Sequence, residues 1–342
     1  MSALADFALP ARLEAREPPE ARGLERDGVR MLVARRTSGE LTHAQVRDLP
    51  DVLVPGDLLV INTSATLPAA LVARRADGSV LDLHVSTRLP GSERRLVELR
   101  SGGARFSAGR AGEVLTLPAG AGARLVAPYL SGSRLWVAEL RLPDALEPYL
   151  AVHGRPIRYR HVRGEWPLSA YQTVYAREPG SAEMPSAGRP LSERLLTALV
   201  ARGIAVAPIV LHAGVSSLEE GEAPGPEWFR VPPATARLVE LTRRAGGRVI
   251  AVGTTVVRAL ETVVEPGGAI RPEQGFTRVV VTPERGVRAV DGLLTGWHEP
   301  ESSHLRLLEA IGGADLIARS YGAALQSGYL WHEFGDVHVL LA

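Results

Sequence analysis

An apolar, β-branched run, Val249-Ile250-Ala251-Val252, stops at Gly253 and is followed by Thr254, Thr255 and a segment whose apolar positions, Val257, Ala259 and Leu260, have helical spacing. Strand, tight turn, helix start: this order restricts the fold more than any other stretch, because it demands a sheet edge with a helix rising from it. Such a junction directs free backbone N–H groups and a positive dipole end at whatever binds above the strand. Gly253 lets main chain approach a ligand closely, and Thr254 or Thr255 can cap the helix or hold a ligand hydroxyl. An ordinary capped helix fits the same residues. Arg258 and Glu261, three apart, can pair on the helix surface.

The alternation recurs through the second half. A helix is expected over 192–202, with Leu195, Leu196, Leu199 and Val200 apolar and Gly203 as its stop. A strand follows at 205–211, and a helix near 234–245 closes on Gly246-Gly247. A last strand and helix span about 291–311, ending at Gly312-Gly313. This argues for an α/β domain. Between residues 65 and 149 the character differs, with short alternating stretches punctuated by Gly, Ser and Pro, which reads as a small all-β barrel. The expected organisation is a discontinuous α/β main domain, 1–64 and 150–342, with a β-barrel domain, 65–149, inserted; 342 residues suffice for both.

Composition narrows the chemistry. There is no cysteine, so no disulfide framework, thiol nucleophile or thiolate metal site. All 39 Lys+Arg residues are arginine, which excludes a Schiff-base lysine and a P-loop lysine. A net charge of +1 does not advertise nucleic-acid binding. No apolar run approaches the ~20 residues of a membrane span, and the opening residues show no secretory pattern. A cytoplasmic monomer without membrane contact is the expectation.

Three strand ends carry polar residues at a turn: Leu211-His212-Ala213-Gly214, Gly253-Thr254-Thr255, and Asp291 through Thr295-Gly296-Trp297-His298-Glu299-Pro300. Ligands gather at the carboxyl ends of strands in open α/β sheets, so Gly253, Thr254, Thr255, His212 and Asp291 are candidate ligand-binding residues. Ser302 or Ser303 can cap the helix after His298, and the dipole end then favours a neutral imidazole, which suits a general base. A loop histidine bonded to backbone is the plainer reading. His298 and His304, like His332 and His338, are six apart and lack metal-site spacing, so no metal is expected. The basic–aromatic stretch 154–166 offers Arg158 and Arg160 to phosphates and Tyr159 or Trp166 to a base, although a solvated loop fits as well. Tyr171, Gln172 and Tyr175 are either buried framework or readers of a purine edge.

In order along the chain, these segments resemble the S-adenosylmethionine:tRNA ribosyltransferase-isomerase family of queuosine biosynthesis. The resemblance runs from Phe7-Ala8-Leu9-Pro10 through Pro55-Gly56-Asp57-Leu58, Tyr171-Gln172-Thr173-Val174-Tyr175-Ala176, Pro185-Ser186-Ala187-Gly188, Gly253-Thr254-Thr255 and His298-Glu299-Pro300 to Phe334-Gly335-Asp336. It implies an α/β main domain around a barrel-like mixed sheet with an inserted β-barrel. It also implies transfer of the ribosyl part of S-adenosylmethionine, a co-substrate and not a methyl donor, to the aminomethyl group of a 7-deazaguanine in tRNA, forming epoxyqueuosine. In that reading His298, Arg258 and Glu261 are catalytic candidates. Thr254, Thr255 and Arg258 would hold the donor, and Tyr171, Gln172, Tyr175, Gly188, Arg158 and Arg160 the acceptor.

The chain departs from the family pattern at Thr63, Ala65 and Ala70 (an acid and two arginines lost), at Arg189-Pro190 (a histidine lost), at Val215-Ser216-Ser217-Leu218, and at Gly296-Trp297 and Glu299. Losing polar partners alters ligand recognition, so a diverged member with another acceptor, or a non-catalytic nucleoside- or RNA-binding protein, are the alternatives.

Overall fold

The strand Leu58–Asn62, four apolar residues and a closing asparagine, is buried at every position, as a strand covered on both faces must be. In the computed structural model, which describes residues 7–129, 134–215, 225–300 and 302–342, it is the fourth strand of a nine-stranded mixed sheet. Residues 1–6 and Ser216-Ser217-Leu218, discussed above, lie outside the described residues. Across the sheet the order is Glu273–Thr277, Glu227–Val231, Ala205–Leu211, Leu58–Asn62, Val249–Val252, Gly292–Gly296, Val337–Leu341, Arg30–Arg35 and Leu41–Gln45. The expected mixed sheet with flanking helices is present; among the described residues its hydrogen bonding ends at two edge strands and does not close into a ring.

Side chains alternate between two cores, as the period of two requires. Leu58, Val60, Ile209, Val249 and Ala251 join one cluster, packed by the helices Pro233–Arg244, Thr254–Val263, Ser303–Gly312 and Ala314–Gln326. Leu59, Ile61, Ile250 and Val252 join another, covered by the helix Glu193–Ala201, whose Ser192 cap accepts from the Leu195 N–H.

Four central strands run parallel. At the edge where they begin, carboxylates tie them together. The buried Asp57 accepts from the Arg248 backbone N–H at 3.2 Å and from its guanidinium at 3.1 and 2.6 Å. Asp291 accepts from the Val249 N–H at 2.9 Å.

The glycine-punctuated stretch forms a second sheet of seven strands. Six of them close into an antiparallel barrel, because Leu135–Arg141 pairs with both Gly122–Pro128 and Arg95–Ser101. Its interior holds Leu71, Leu83, Val97, Leu99, Leu115 and Leu125. The strand Val80–Arg88 loses register with its neighbour between Val85 and Arg88. Such an irregularity releases side chains from the ladder, here Ser86 and Thr87, which point toward the main sheet.

Candidate active site

Because the central strands are parallel, their carboxyl ends emerge at one edge. Asn62, at the end of its strand, donates to the Leu211 carbonyl at 2.9 Å and accepts from the Leu211 N–H at 3.0 Å. Its amide also reaches Thr255 Oγ1 at 3.3 Å, so three strand ends are held as one unit. Gly253 sits at φ 94° and ψ 152°, a region open essentially to glycine, and its N–H donates to the Leu294 carbonyl at 2.8 Å. Neither threonine caps the helix that follows, so its N-terminus faces a cavity of about 260 Å3 lined by Gly253, Thr254, Thr255 and Arg258. Ser86 and Thr87 of the barrel close the opposite wall. Arg258 pairs with Glu227 and donates through Nε to the Val279 carbonyl at 3.1 Å, while its Nη2 has no partner among the described residues.

His298 stands between this cavity and a second of about 680 Å3. Its Nε2 lies 3.0 Å from Thr295 Oγ1, its N–H donates to the Tyr321 hydroxyl at 3.3 Å, and its carbonyl accepts from the Trp331 indole at 3.1 Å. Among the described residues nothing bonds Nδ1. Ser302 caps the next helix by accepting from the His304 N–H. Burial first, then the rings of His304, His338 and His332, hold the His298 pKa well below 6.5. This shift has the direction of the neutral imidazole expected from the sequence, with burial as its leading cause.

The second cavity takes Tyr171, Arg160 and Tyr159 from the tyrosine and basic–aromatic segments, and Arg100 and Arg134 from the barrel stretch. Burial pushes the Tyr171 phenol up to about 12, so it remains a donor at neutral pH. His332 and His161 stack with centroids 3.9 Å apart, and His161 Nε2 meets Glu333 at 2.9 Å. His332 has φ 74°, uncommon for a bulky residue and held here by a turn in which Gly335 N–H donates to its carbonyl at 3.0 Å.

Other candidates are placed elsewhere. Glu261 does not pair with Arg258 and lines neither cavity. It is 2% exposed, pairs with Arg285, and accepts from the backbone N–H groups of Arg288 and Ala289 at 2.7 Å each. Asp291 lies at the start of its strand, about 17 Å from the carboxyl end by strand rise. His212 is turned to Ser64, 2.8 Å from Nδ1, and stacks on Trp228, although its neighbours Ala213 and Gly214 do line the smaller cavity. Gln172 clamps Thr66, accepting from its N–H at 2.9 Å and donating to its carbonyl at 2.8 Å. Gly188 makes room for the half-buried Tyr175, whose hydroxyl would lie 1.9 Å from an added Cβ. Arg158 donates to the Gly164 carbonyl at 2.8 Å on the surface. Conversely, Glu183, Met184, Ser186, Glu227, His304 and His332 line the cavities without having been put forward as ligand-binding residues. The Pro185-Ser186-Ala187-Gly188 motif, beside Glu183 and Met184, was one signal, and His304 and His332 had been weighed only as metal ligands.

Adjoining cavities over the carboxyl ends of parallel strands, with His298 on the wall they share, define an α/β protein with a two-part cavity at one edge of its sheet. A family model described as queuosine biosynthesis protein matches residues 3–340, and the chain belongs to that family. It is 35% identical, over 98% of both chains, to the S-adenosylmethionine:tRNA ribosyltransferase-isomerase of Symbiobacterium thermophilum. It is 34% identical to the enzyme of the same name from Stenotrophomonas maltophilia, over 98% of this chain and 97% of that one. Its fold is similar to the crystal structure of an S-adenosylmethionine tRNA ribosyltransferase from Thermotoga maritima, with a TM-score of 0.55, 26% identity, and 99% and 100% of the two chains covered.

Proposed function

We propose that this protein is an S-adenosylmethionine:tRNA ribosyltransferase-isomerase. It moves the ribosyl part of S-adenosylmethionine onto a 7-aminomethyl-7-deazaguanine in tRNA, with adenine and methionine leaving and epoxyqueuosine forming. The observation that carries the reading is the position of His298 on the wall shared by the two cavities.

The smaller cavity takes the donor. The open helix N-terminus at Thr254 and Thr255 and the unpartnered Arg258 Nη2 suit the carboxylate and hydroxyls of S-adenosylmethionine. Positive sulfur makes the adjacent C5′ acidic, and a neutral, partly desolvated imidazole is suited to remove that proton. The larger cavity takes the acceptor nucleotide, with Arg160 at its mouth for phosphate and Tyr171 as a donor to the base. Of the departures from the family pattern, Thr63, Ala65, Ala70, Arg189 and Pro190 line neither cavity. Arg189 is instead a buried cation bonded to Glu20 and the Ala170 carbonyl. The departures at Val215, Gly296, Trp297 and Glu299 do line the cavities, so a changed acceptor remains the alternative that the incubation below tests.

The enzyme works in the cytoplasm, as a monomer and without a metal. Residues 65–149 form a domain inserted into the main domain of 1–64 and 150–342. Incubation with S-adenosylmethionine, with and without tRNA carrying the aminomethyl base, tests the reaction. Adenine and methionine should appear only with tRNA; release without it would point to another acceptor, and binding without release to a non-catalytic protein.

A further inference from the structure

One corner of the smaller cavity has hydrogen-bonding groups left over. Thr87, on the barrel strand Val80–Arg88, is 7% exposed, and its hydroxyl has no partner among the described residues. The same holds for Nη2 of Arg258, on the helix Thr254–Val263 of the main sheet. Both residues line the cavity. Buried polar groups without a partner are costly, and folded proteins leave few of them.

Gly214 brings the two together. Its N–H donates to Glu227 Oε1 at 3.0 Å, and the other oxygen of Glu227 holds Arg258 Nη1. On the barrel side, a Cβ at Gly214 would stand 3.3 Å from Thr87 Cγ2 and 2.9 Å from Ser86 Oγ, so only glycine lets the segment pack this closely. Ser86 is committed, since it accepts from the Val215 N–H at 3.0 Å. The Thr87 hydroxyl keeps its proton to give. We propose that Thr87 and Arg258 together clasp the α-carboxylate at the methionine end of the donor, so that the barrel supplies part of the donor site. This rests on S-adenosylmethionine being the donor, as read above.

Charge supports that choice of ligand group. Arg258 is already balanced by Glu227, so the pair carries no net charge and does not suit a bare anion. The end of an amino acid is a zwitterion whose carboxylate and ammonium also cancel. A neutral group enters a neutral corner at less desolvation cost than a single charge would. What the corner lacks is an acceptor, and a carboxylate can accept from a guanidinium N–H and a hydroxyl at once.

The test compares S-adenosylmethionine with its decarboxylated analogue by calorimetry. Wild-type protein should bind S-adenosylmethionine about tenfold or more tightly, the scale of charge-assisted hydrogen bonds. Thr87→Val, close in shape but without the hydroxyl, should lose about three- to tenfold in affinity for S-adenosylmethionine and leave the analogue unchanged. Thr87→Ser, which keeps the hydroxyl, should recover the wild-type affinity. An unchanged melting temperature in both variants establishes that the fold is intact. Equal binding of the two compounds by wild type, or full discrimination retained by Thr87→Val, would overturn the proposal. So would an equal loss for both compounds, because the hydroxyl would then serve another part of the ligand. If discrimination depends on Thr87 but tRNA releases no adenine, the assigned reaction falls and the clasp stands. If adenine is released normally and Thr87→Val still discriminates in full, the clasp falls and the reaction stands.

Discussion

His298 and Glu261 were both catalytic candidates, and their surroundings now separate them. The His298 ring opens on two cavities and is held by Thr295, whereas Glu261 is enclosed by Arg285 and two backbone N–H groups. His298→Gln should lower kcat by about 10²–10⁴-fold, the usual contribution of a positioned base, with donor affinity nearly unchanged by calorimetry. Because its pKa is depressed, the imidazole stays neutral as pH falls, so the acid limb of the wild-type kcat profile should lie below the ordinary histidine value of 6.5. A limb at or above that value would remove His298 as the base. Glu261→Ala should instead cost about 3–5 kcal/mol of unfolding free energy, because Arg285 loses its buried partner. A stable Glu261→Ala protein without turnover would return this residue to the mechanism. The sequence did not separate the two, since a polar residue near a strand end or helix start reads alike whether it serves a ligand or a neighbour's backbone. Gln172 and His212 show the same ambiguity: Thr66 and Ser64 bond their polar atoms.

At the scale of elements, the strand–glycine–helix junction was legible because its signals are local: a β-branched run, a glycine, then helical spacing. Gly253→Ala puts an L-residue at φ 94° and a methyl 3.4 Å from Ala187 Cβ. It should destabilise the protein by about 1–3 kcal/mol and weaken S-adenosylmethionine binding, both measurable by calorimetry. Unaltered donor affinity would mean that this helix start does not contact the donor. The wall around Glu183, His304 and His332 was not legible. Its members come from segments without a periodic signal, and they meet only through tertiary contacts such as His161 with Glu333, 172 positions apart. The barrel was visible as a change in texture. That a register irregularity would send Ser86 and Thr87 into the donor cavity depends on which strands pair, which texture does not encode.

For the molecule as a whole, the buried histidines set the response to acid. Burial is the leading cause that lowers His212, His304 and His332 to about 4, His338 to about 3, and His298 well below 6.5. Each takes up a proton more readily unfolded than folded, so the unfolded state binds more protons below about 6.5, and stability must drain as pH falls through that window. Glu98 extends the loss: although burial works against it, His84, Arg100 and Arg134 bring it down to about 2. Asp336, raised by burial, works the other way. Urea midpoints should therefore drop between pH 7 and pH 4.5, and a flat profile would mean that these rings are hydrated in solution. The parallel strands have a further consequence. They start from the carboxylate clasps of Asp57 and Asp291 and finish at the ligand cavities, so endurance and reactivity occupy opposite rims of one sheet. A designer who wants a heat-tolerant version can rework the starting rim freely, because each β-ribbon insulates the chemistry by its full length.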